Sequence, residues 1–142
     1  MDLVAAGAPV GLGVDGVASN ENGGLFSEMR QALFTGRQRT GDPTSIGVRD
    51  VLSIATEGGA RCLSRPDIGK LEPGYKADLA IWPVDDLDDL PDPLVGLVLG
   101  PERRVRHLLV GGEFTVKDGE LLGVDVTAAR RELAKTAKRL RA

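Results

Sequence analysis

The spacing of hydrophobic residues predicts two helices in the first half of the chain. In LFSEMRQALFTGR they recur at helical intervals, which predicts an amphipathic helix that ends near Gly36. Its apolar positions are Leu25, Met29, Ala32 and Leu33. A second apolar stripe, which predicts a helix capped by Thr44 or Ser45, consists of Val48, Val51, Leu52 and Ala55. We expect Gly58 and Gly59 to interrupt this second helix.

A short apolar run lies ahead of the first helix. Residues 10–14 predict a buried strand that ends at Asp15, and Gly11 and Gly13 within it allow close packing. Together with Gly16 these glycines match the pattern G-x-G-x-x-G of dinucleotide-binding folds. That site needs a helix to open at the last glycine, and a polar loop follows here instead. The pattern therefore favours a turn over a nucleotide site.

The second half of the chain changes to a β-rich pattern. ADLAIWPV predicts one strand, and VRHLLVGGEFTVKDGELLG predicts two or three more. Gly-Gly at 111–112 and Asp-Gly at 118–119 separate them, and both dipeptides suit the left-handed torsions of tight hairpins. A last helical stripe follows, capped by Asp125 or Thr127.

Length, cysteine count and hydropathy narrow the class of protein. The chain has 142 residues, which is the length of one ordinary domain. Its single cysteine, Cys62, fits a reducing compartment and is expected in the core. The first residues carry an acid where a secretion signal carries positive charge, and no apolar stretch approaches the ~20 residues of a membrane span. We therefore expect a cytoplasmic protein without a membrane partner.

Charge is unevenly spread along the chain. Six aspartates lie within residues 78–92 without a basic residue among them, and six basic residues in the last sixteen are accompanied only by Glu132. A basic tail can indicate nucleic-acid binding. No aromatic residue is interleaved here for stacking on bases, so we interpret the tail as a solvated helix face with no nucleic-acid partner.

Longer segments resemble one enzyme superfamily. PVGLGVDGVASNENGGLFSEMRQAL resembles the eighth barrel strand, the following loop and the next helix of the amidohydrolases. The resemblance continues through SIATEGGARCLSRPDIGKLEPGYKADLAIW into VRHLLVGGEFTVKDGEL, which is similar to the closing hairpin of that family. It runs from about Pro9 to Leu122. The most similar branch is that of deaminases and chlorohydrolases, and GVDGVASNE favours enzymes like 8-oxoguanine deaminase.

This resemblance implies an α/β fold that is a C-terminal fragment of a (β/α)₈ TIM barrel with part of a small β-sandwich. A whole barrel takes ~250 residues, so only about one barrel unit fits in this chain. The implied divisions are 1–65 for the last barrel strand and helices, 66–124 for the sandwich part and 125–142 for a C-terminal helix.

The resemblance also implies a reaction: hydrolytic deamination of a purine, pyrimidine or triazine-like ring by water activated on zinc or iron. Asp15 matches the family's aspartate after strand eight, which binds or approaches the metal and carries a proton from the water to the leaving nitrogen. From spacing alone, Asp15 would be interpreted as part of a turn. Ser19, Asn20 and Glu21 are candidates for substrate contact in the loop, with helix capping or turn formation as the alternative.

The chain departs from the metal site of that family, which needs a His-x-His pair on the first barrel strand and further histidines on the fifth and sixth. Its single histidine, His107, lies in the β section, so Asp15 is the only candidate ligand. We therefore expect the isolated chain to bind no metal, to be inactive, and to need a missing N-terminal amidohydrolase half or a second copy of itself. The alternative function is that of a non-catalytic relic or interaction module.

Overall fold

The computed structural model describes residues 2–16, 18–20, 23–87 and 89–141. The helices are α1 (Asp2–Ala5), α2 (Leu25–Thr40), α3 (Val48–Ser53), α4 (Gly59–Cys62), α5 (Pro93–Leu99) and α6 (Val126–Leu140). The strands are β1 (Leu79–Ile81), β2 (His107–Val110), β3 (Glu113–Lys117) and β4 (Glu120–Leu121). A π-helical turn, Ile54–Gly58, joins α3 to α4, and a 3₁₀ turn, Asp85–Leu87, follows β1. No described helix has the length and hydrophobicity needed to cross a membrane.

The first predicted helix is confirmed as α2, although it runs past Gly36. It ends at Gly41, whose φ of 68° is left-handed and whose N–H bonds to the carbonyl of Arg37. Gly36 has a packing role, because a Cβ there would lie 3.0 Å from the Cγ2 atom of Ile46. The glycine therefore lets the loop after α2 close onto the helix.

The second helix is also confirmed, but its predicted boundaries are wrong. Gly47 is the N-cap, and its N–H is bonded by the Asp50 carboxylate at 2.7 Å, whereas Thr44 and Ser45 bond within the preceding loop. Gly58 does not interrupt the helix, since it keeps helical torsions of φ −61° and ψ −47°. A Cβ on Gly58 would collide with the carbonyl oxygen of Val10, so the glycine serves close packing.

The hydrophobic core lies between α2, α3 and α5. Its buried side chains are Phe26, Met29, Leu33, Ile46, Val51 and Val98. Trp82 packs edge to face on Phe26, with 5.1 Å between the ring centroids. Helix α5 was not predicted, although Asp92 caps it by accepting a hydrogen bond from the Leu94 N–H at 3.0 Å and Pro93 takes its first turn. We call α2, α3 and α5 with this core the helical layer.

The four strands form one antiparallel sheet in the order β1-β2-β3-β4. Both predicted hairpin turns are confirmed: residues 111–112 have φ values of 59° and 90°, and residues 118–119 have 51° and 80°. The register shifts between Leu108 and Leu109, which marks a bulge. Helix α6 follows, capped by Asp125, whose carboxylate accepts from the Ala128 N–H at 2.8 Å.

The strand predicted at residues 10–14 is wrong. This segment has no strand assignment, because no strand in the described part of the chain pairs with it. It lies instead against the start of α4, where a Cβ on Gly11 would approach the Cα of Gly59 at 3.1 Å. Close packing is therefore confirmed at Gly11, whereas Gly13 faces open space. The overall class is α/β with a four-stranded antiparallel sheet.

Candidate functional site

Asp15 follows the 10–14 segment and lies at the surface. Its φ of 60° is left-handed, a conformation in which aspartate is enriched among residues other than glycine. The side chain is exposed, and its Oδ1 atom accepts a hydrogen bond of 2.7 Å from the N–H of Gly16. The carboxylate is thus held by the backbone of the turn that it begins, while it remains open to solvent.

Gly16 is hydrogen-bonded to Ser19 and Asn20 through their backbones. The carbonyl oxygen of Gly16 accepts hydrogen bonds from the N–H groups of both Ser19 and Asn20, each at 2.9 Å. Ser19 is exposed, whereas Asn20 is half-buried and its Nδ2 donates to the Oε1 atom of Glu28 at 2.6 Å. The alternative of turn formation is therefore found for both residues, and helix capping is not, since Gly24 caps α2. The third loop candidate, Glu21, lies outside the described residues.

Glu28 belongs to the first turn of α2, which is tied to a distant segment of the chain. Ser27 donates from its N–H and its hydroxyl to Oε1 of Glu102, at 3.2 and 2.8 Å, across 75 residues of sequence. Arg30 donates from Nε to the carbonyl of Val98 at 3.1 Å and from its guanidinium to the carbonyl of Gly100. These bonds fix the start of α2 against the end of α5.

These contacts were missed from the sequence. Glu28 and Arg30 lie on the polar side of a predicted helix, where charged residues are expected to be solvated. The available signal was Glu28, an acidic residue in the first turn of the helix, eight residues after Asn20. No recognised sequence motif has that spacing. Glu102 carried no signal, because its partner is so distant in sequence.

A metal cluster is absent from the described residues: nowhere among them do three or more His, Cys, Asp or Glu side chains converge. His107 accepts a hydrogen bond from the Asp118 N–H through Nδ1 at 3.2 Å, and its Nε2 lies 3.8 Å from an Asp118 carboxylate oxygen. It thus joins the two ends of the β2–β3 hairpin. Cys62 is exposed, so the expectation that it lies in the core is wrong. It sits at the end of α4, beside Gly11.

Asp15 lines neither of two pockets of about 490 Å³ in the described chain. The charged and polar residues that border one of them include Arg61, Arg65, Lys70, Tyr75 and Glu57. Its cations are already paired: Lys70 lies 3.6 Å from Glu57, and Arg65 donates to both oxygens of its neighbour Asp67 at 2.7 and 2.9 Å.

The pairing of cations with acids also changes the ionisation of two aspartates. The hydrogen bonds from Arg65 hold the pKa of the Asp67 carboxyl far below its usual range. Arg103 lowers the pKa of Asp86 in the same way, through two hydrogen bonds of 2.6 Å. Both carboxylates take part in ion pairs at the surface, and neither belongs to the turn that begins at Asp15.

Comparisons with known proteins give the context of the site. The profile of the amidohydrolase family matches residues 1–115. The chain is 45% identical to the 8-oxoguanine deaminase of Pseudomonas aeruginosa, over 96% of this chain and 31% of the relative. It is 38% identical to the 5-methylthioadenosine/S-adenosylhomocysteine deaminase of Natronomonas pharaonis, over 98% of this chain and 33% of the relative.

Solved structures of similar proteins include another deaminase and a chlorohydrolase. An adenosine deaminase from Xanthomonas campestris with bound zinc superposes with a TM-score of 0.91 and 31% identity, over 98% of this chain and 33% of that one. The atrazine chlorohydrolase of Arthrobacter aurescens, complexed with zinc, gives a TM-score of 0.77 and 35% identity, over 95% of this chain and 30% of that one. This chain spans about a third of the length of the relatives that it matches. It belongs to the amidohydrolase family.

Proposed function

We propose that this chain is the C-terminal segment of an aminohydrolase that removes an amino group from a purine, pyrimidine or triazine-like ring with water. Its family membership and the deaminases among its relatives support this reaction class. The observation that carries the proposal is Asp15: an exposed carboxylate in a left-handed turn, at the position that resembles the family's proton-transferring aspartate. The substrate class is a small heterocycle.

In this proposal Asp15 moves one proton. Water adds to the ring carbon that bears the amino group, and the carboxylate accepts the proton that the water loses. The same carboxyl then gives that proton to the amino nitrogen, the carbon–nitrogen bond breaks, and ammonia leaves. The second proton of the water moves from the new hydroxyl to the adjacent ring nitrogen, so that a ring carbonyl is formed. The hydrogen bond from the Gly16 N–H to Oδ1 supports this role, because it orients the carboxylate without removing it from solvent.

The described residues do not by themselves fit a metal. Zinc takes three or four protein ligands in its catalytic and structural sites, whereas within the described chain Asp15 belongs to no group of three or more His, Cys, Asp or Glu side chains. We propose that zinc or iron, if the complete enzyme uses it, is held mainly by polypeptide beyond this chain. The proton transfers assigned to Asp15 are the same whether the metal is zinc or iron.

The same proposal gives the architecture. Residues 1–65 would supply the last strand and helices of a TIM barrel, residues 66–124 part of a β-sandwich, and residues 125–142 a C-terminal helix. A place for residues 10–14 between two further strands is supported by their strand-like sequence, which finds no strand partner within the described chain. The partner is then the missing amidohydrolase half, with a second copy of the chain as the alternative.

The test is complementation. The chain is co-expressed with, or fused to, the part of the Pseudomonas aeruginosa relative that it does not match, and ammonia release is measured with 8-oxoguanine and 5-methylthioadenosine. We expect Asp15→Asn to lower kcat by a factor of about 10² to 10⁴, the share typical of general acid–base catalysis. The matched control is Asp118→Asn, since Asp118 is also an exposed aspartate with positive φ ahead of a glycine.

Two results would contradict the proposal. Unchanged turnover of the Asp15→Asn enzyme at unchanged metal content would remove Asp15 from the chemistry. A complemented protein that is folded and loaded with metal, yet releases no ammonia from either substrate, would favour the alternative of a relic or interaction module.

A further inference from the structure

A continuous series of hydrogen bonds links α2 to the Asp15 carboxylate. Oε1 of Glu28 accepts from Nδ2 of Asn20 at 2.6 Å. The N–H of Asn20 donates to the carbonyl of Gly16 at 2.9 Å, and the N–H of Gly16 donates to Oδ1 of Asp15 at 2.7 Å. We call these four residues the Glu28 relay. Each bond restrains the residue that makes the next one.

Asp15 needs such support. A residue other than glycine in the left-handed region is strained and stays there only when its surroundings hold it. Gly16 is the residue that holds it, because its N–H fixes the side chain of Asp15 while its carbonyl, on the other side of its Cα, is bonded from Ser19 and Asn20. Release of Asn20 would leave that carbonyl bonded to the Ser19 N–H alone and so loosen the residue on which the carboxylate depends.

Glu28 is well placed to anchor the relay. Its neighbours Ser27 and Arg30 tie the same turn of α2 to Glu102 and to the last carbonyls of α5, so the helix start is fixed independently of the Asp15 loop. A carboxylate has no hydrogen to donate, and it can only accept from the Asn20 amide. The direction of the bond is thus set by the chemistry of the pair.

We propose that Glu28 is a positioning residue that fixes the Asp15 carboxylate through Asn20. The inference rests on the proposed function for the role of Asp15, but the relay itself can be measured without activity. Glu28 also lies in the first turn of α2, where a negative charge stabilises a helix through its dipole. The experiment must separate these two roles, and the choice of variants does so.

The first measurement is amide hydrogen exchange by NMR on the chain as it is. In Glu28→Ala we expect the Gly16 and Asn20 N–H groups to exchange at least tenfold faster, with the amides of the α2 interior unchanged. Glu28→Gln removes the charge but keeps an oxygen acceptor, so it should keep exchange near the wild-type rate. A dipole role predicts the opposite, namely that Glu28→Gln behaves like Glu28→Ala and that the effect appears in α2.

A charge exchange gives the second readout. Asn20→Asp alone places two carboxylates against each other and should free the loop, whereas Asn20→Asp combined with Glu28→Gln restores a donor and an acceptor with their roles reversed. We expect the double variant to recover slow exchange at Gly16. If Glu28→Ala loses its helical circular dichroism, Asn20→Ala breaks the same bond without touching α2 and takes its place.

In the complemented enzyme, Glu28→Ala should lower kcat about 10- to 100-fold with KM nearly unchanged, as expected for a displaced catalytic group. Unchanged exchange at Gly16 and Asn20 in both Glu28→Ala and Asn20→Ala would overturn the positioning role. An Asp15→Asn enzyme with full activity would instead overturn the proposed function, whatever the exchange rates are. The two failures are therefore distinguishable.

Discussion

The helical layer and the β-sheet differ in how much of their apolar surface is covered. In the layer, Leu33 and Val51 are fully buried and Val98 is nearly so. In the sheet no strand residue is buried, and Phe114 and Val110 are 45% and 56% exposed. The same chain thus contains a packed core beside a sheet that has none.

The sheet is exposed because it is a single layer with apolar residues on both faces. Ile81 lies opposite His107, whose ring contacts Phe114, so these three side chains share one face. Val110 and Leu121 lie on the other face of the sheet. This follows from the alternation of side chains along each strand and from the pairing of Leu121 with Val116. An antiparallel sheet that stands alone usually keeps one face polar. Two apolar faces indicate that the sheet is built to be covered by further polypeptide.

The greater length of the relatives is consistent with a sheet whose apolar faces are covered by further polypeptide. They are about three times as long as this chain, since it spans 31% of the Pseudomonas aeruginosa deaminase and 33% of the Xanthomonas campestris structure. The helical layer buries a core of six side chains within the described chain, whereas no strand residue of the sheet is buried. The comparison therefore predicts that stability of the isolated chain resides in the layer.

The largest effect is expected from a cavity in the layer. Leu33→Ala removes a fully buried side chain, and such changes lower the free energy of unfolding by about 2–5 kcal/mol out of a typical ~5–15. The control Leu133→Ala, on α6 with the residue 69% exposed, should change it by less than about 0.5 kcal/mol. Urea unfolding is followed by the fluorescence of Trp82, the single tryptophan, which packs on Phe26. Equal effects of the two substitutions would contradict the comparison.

The parts of the fold that were predicted correctly depend on local chemistry. The turns at 111–112 and 118–119 follow from dipeptides that tolerate positive φ. Helix α2 follows from an apolar stripe of which Met29, Ala32 and Leu33 face the core, whereas Leu25 is exposed. These signals act within a few residues. They need no knowledge of what lies beyond the segment.

The failures depend on distant partners. Residues 10–14 have a strand-like sequence, but a strand requires a neighbour, and none pairs with them in the described chain. Helix α5 was missed because PLVGLVL contains a proline, a glycine and two valines, all weaker helix formers than leucine, although Asp92 and Pro93 signalled its start. The Glu28 relay was missed for a third reason: it joins a loop to a helix through one side-chain bond, and hydrophobic spacing carries no information about such bonds. Asp15 itself was found through resemblance, and its role stays a prediction.

A smaller effect is expected where the 10–14 segment meets the π-helical turn and the start of α4. Gly58→Ala should destabilise the chain by about 1–3 kcal/mol, because its Cβ would collide with the Val10 carbonyl and the backbone must shift. The matched control is Gly59→Ala. Gly59 has similar helical torsions and open space at its Cβ position, so this change should stabilise by about 0.4–1 kcal/mol. Opposite signs for adjacent glycines, measured by thermal unfolding, would show that residues 10–14 dock on the helix in solution; equal signs would show that they do not.

The smallest effect compares two helix caps, one in each region. Asp92 and Asp125 both accept a backbone N–H at the start of a helix, but α5 contributes Val98 to the core, whereas α6 has no buried residue. Asp92→Ala should therefore lower the free energy of unfolding by about 0.5–2 kcal/mol. Asp125→Ala should reduce helical circular dichroism at low temperature without moving the unfolding midpoint reported by Trp82. Asp92→Asn separates capping from the ion pair with Arg49, since asparagine caps equally well but carries no charge. A midpoint that falls as far for Asp125→Ala as for Asp92→Ala would mean that α6 folds together with the layer, and the division between a self-sufficient core and an uncovered remainder would not hold.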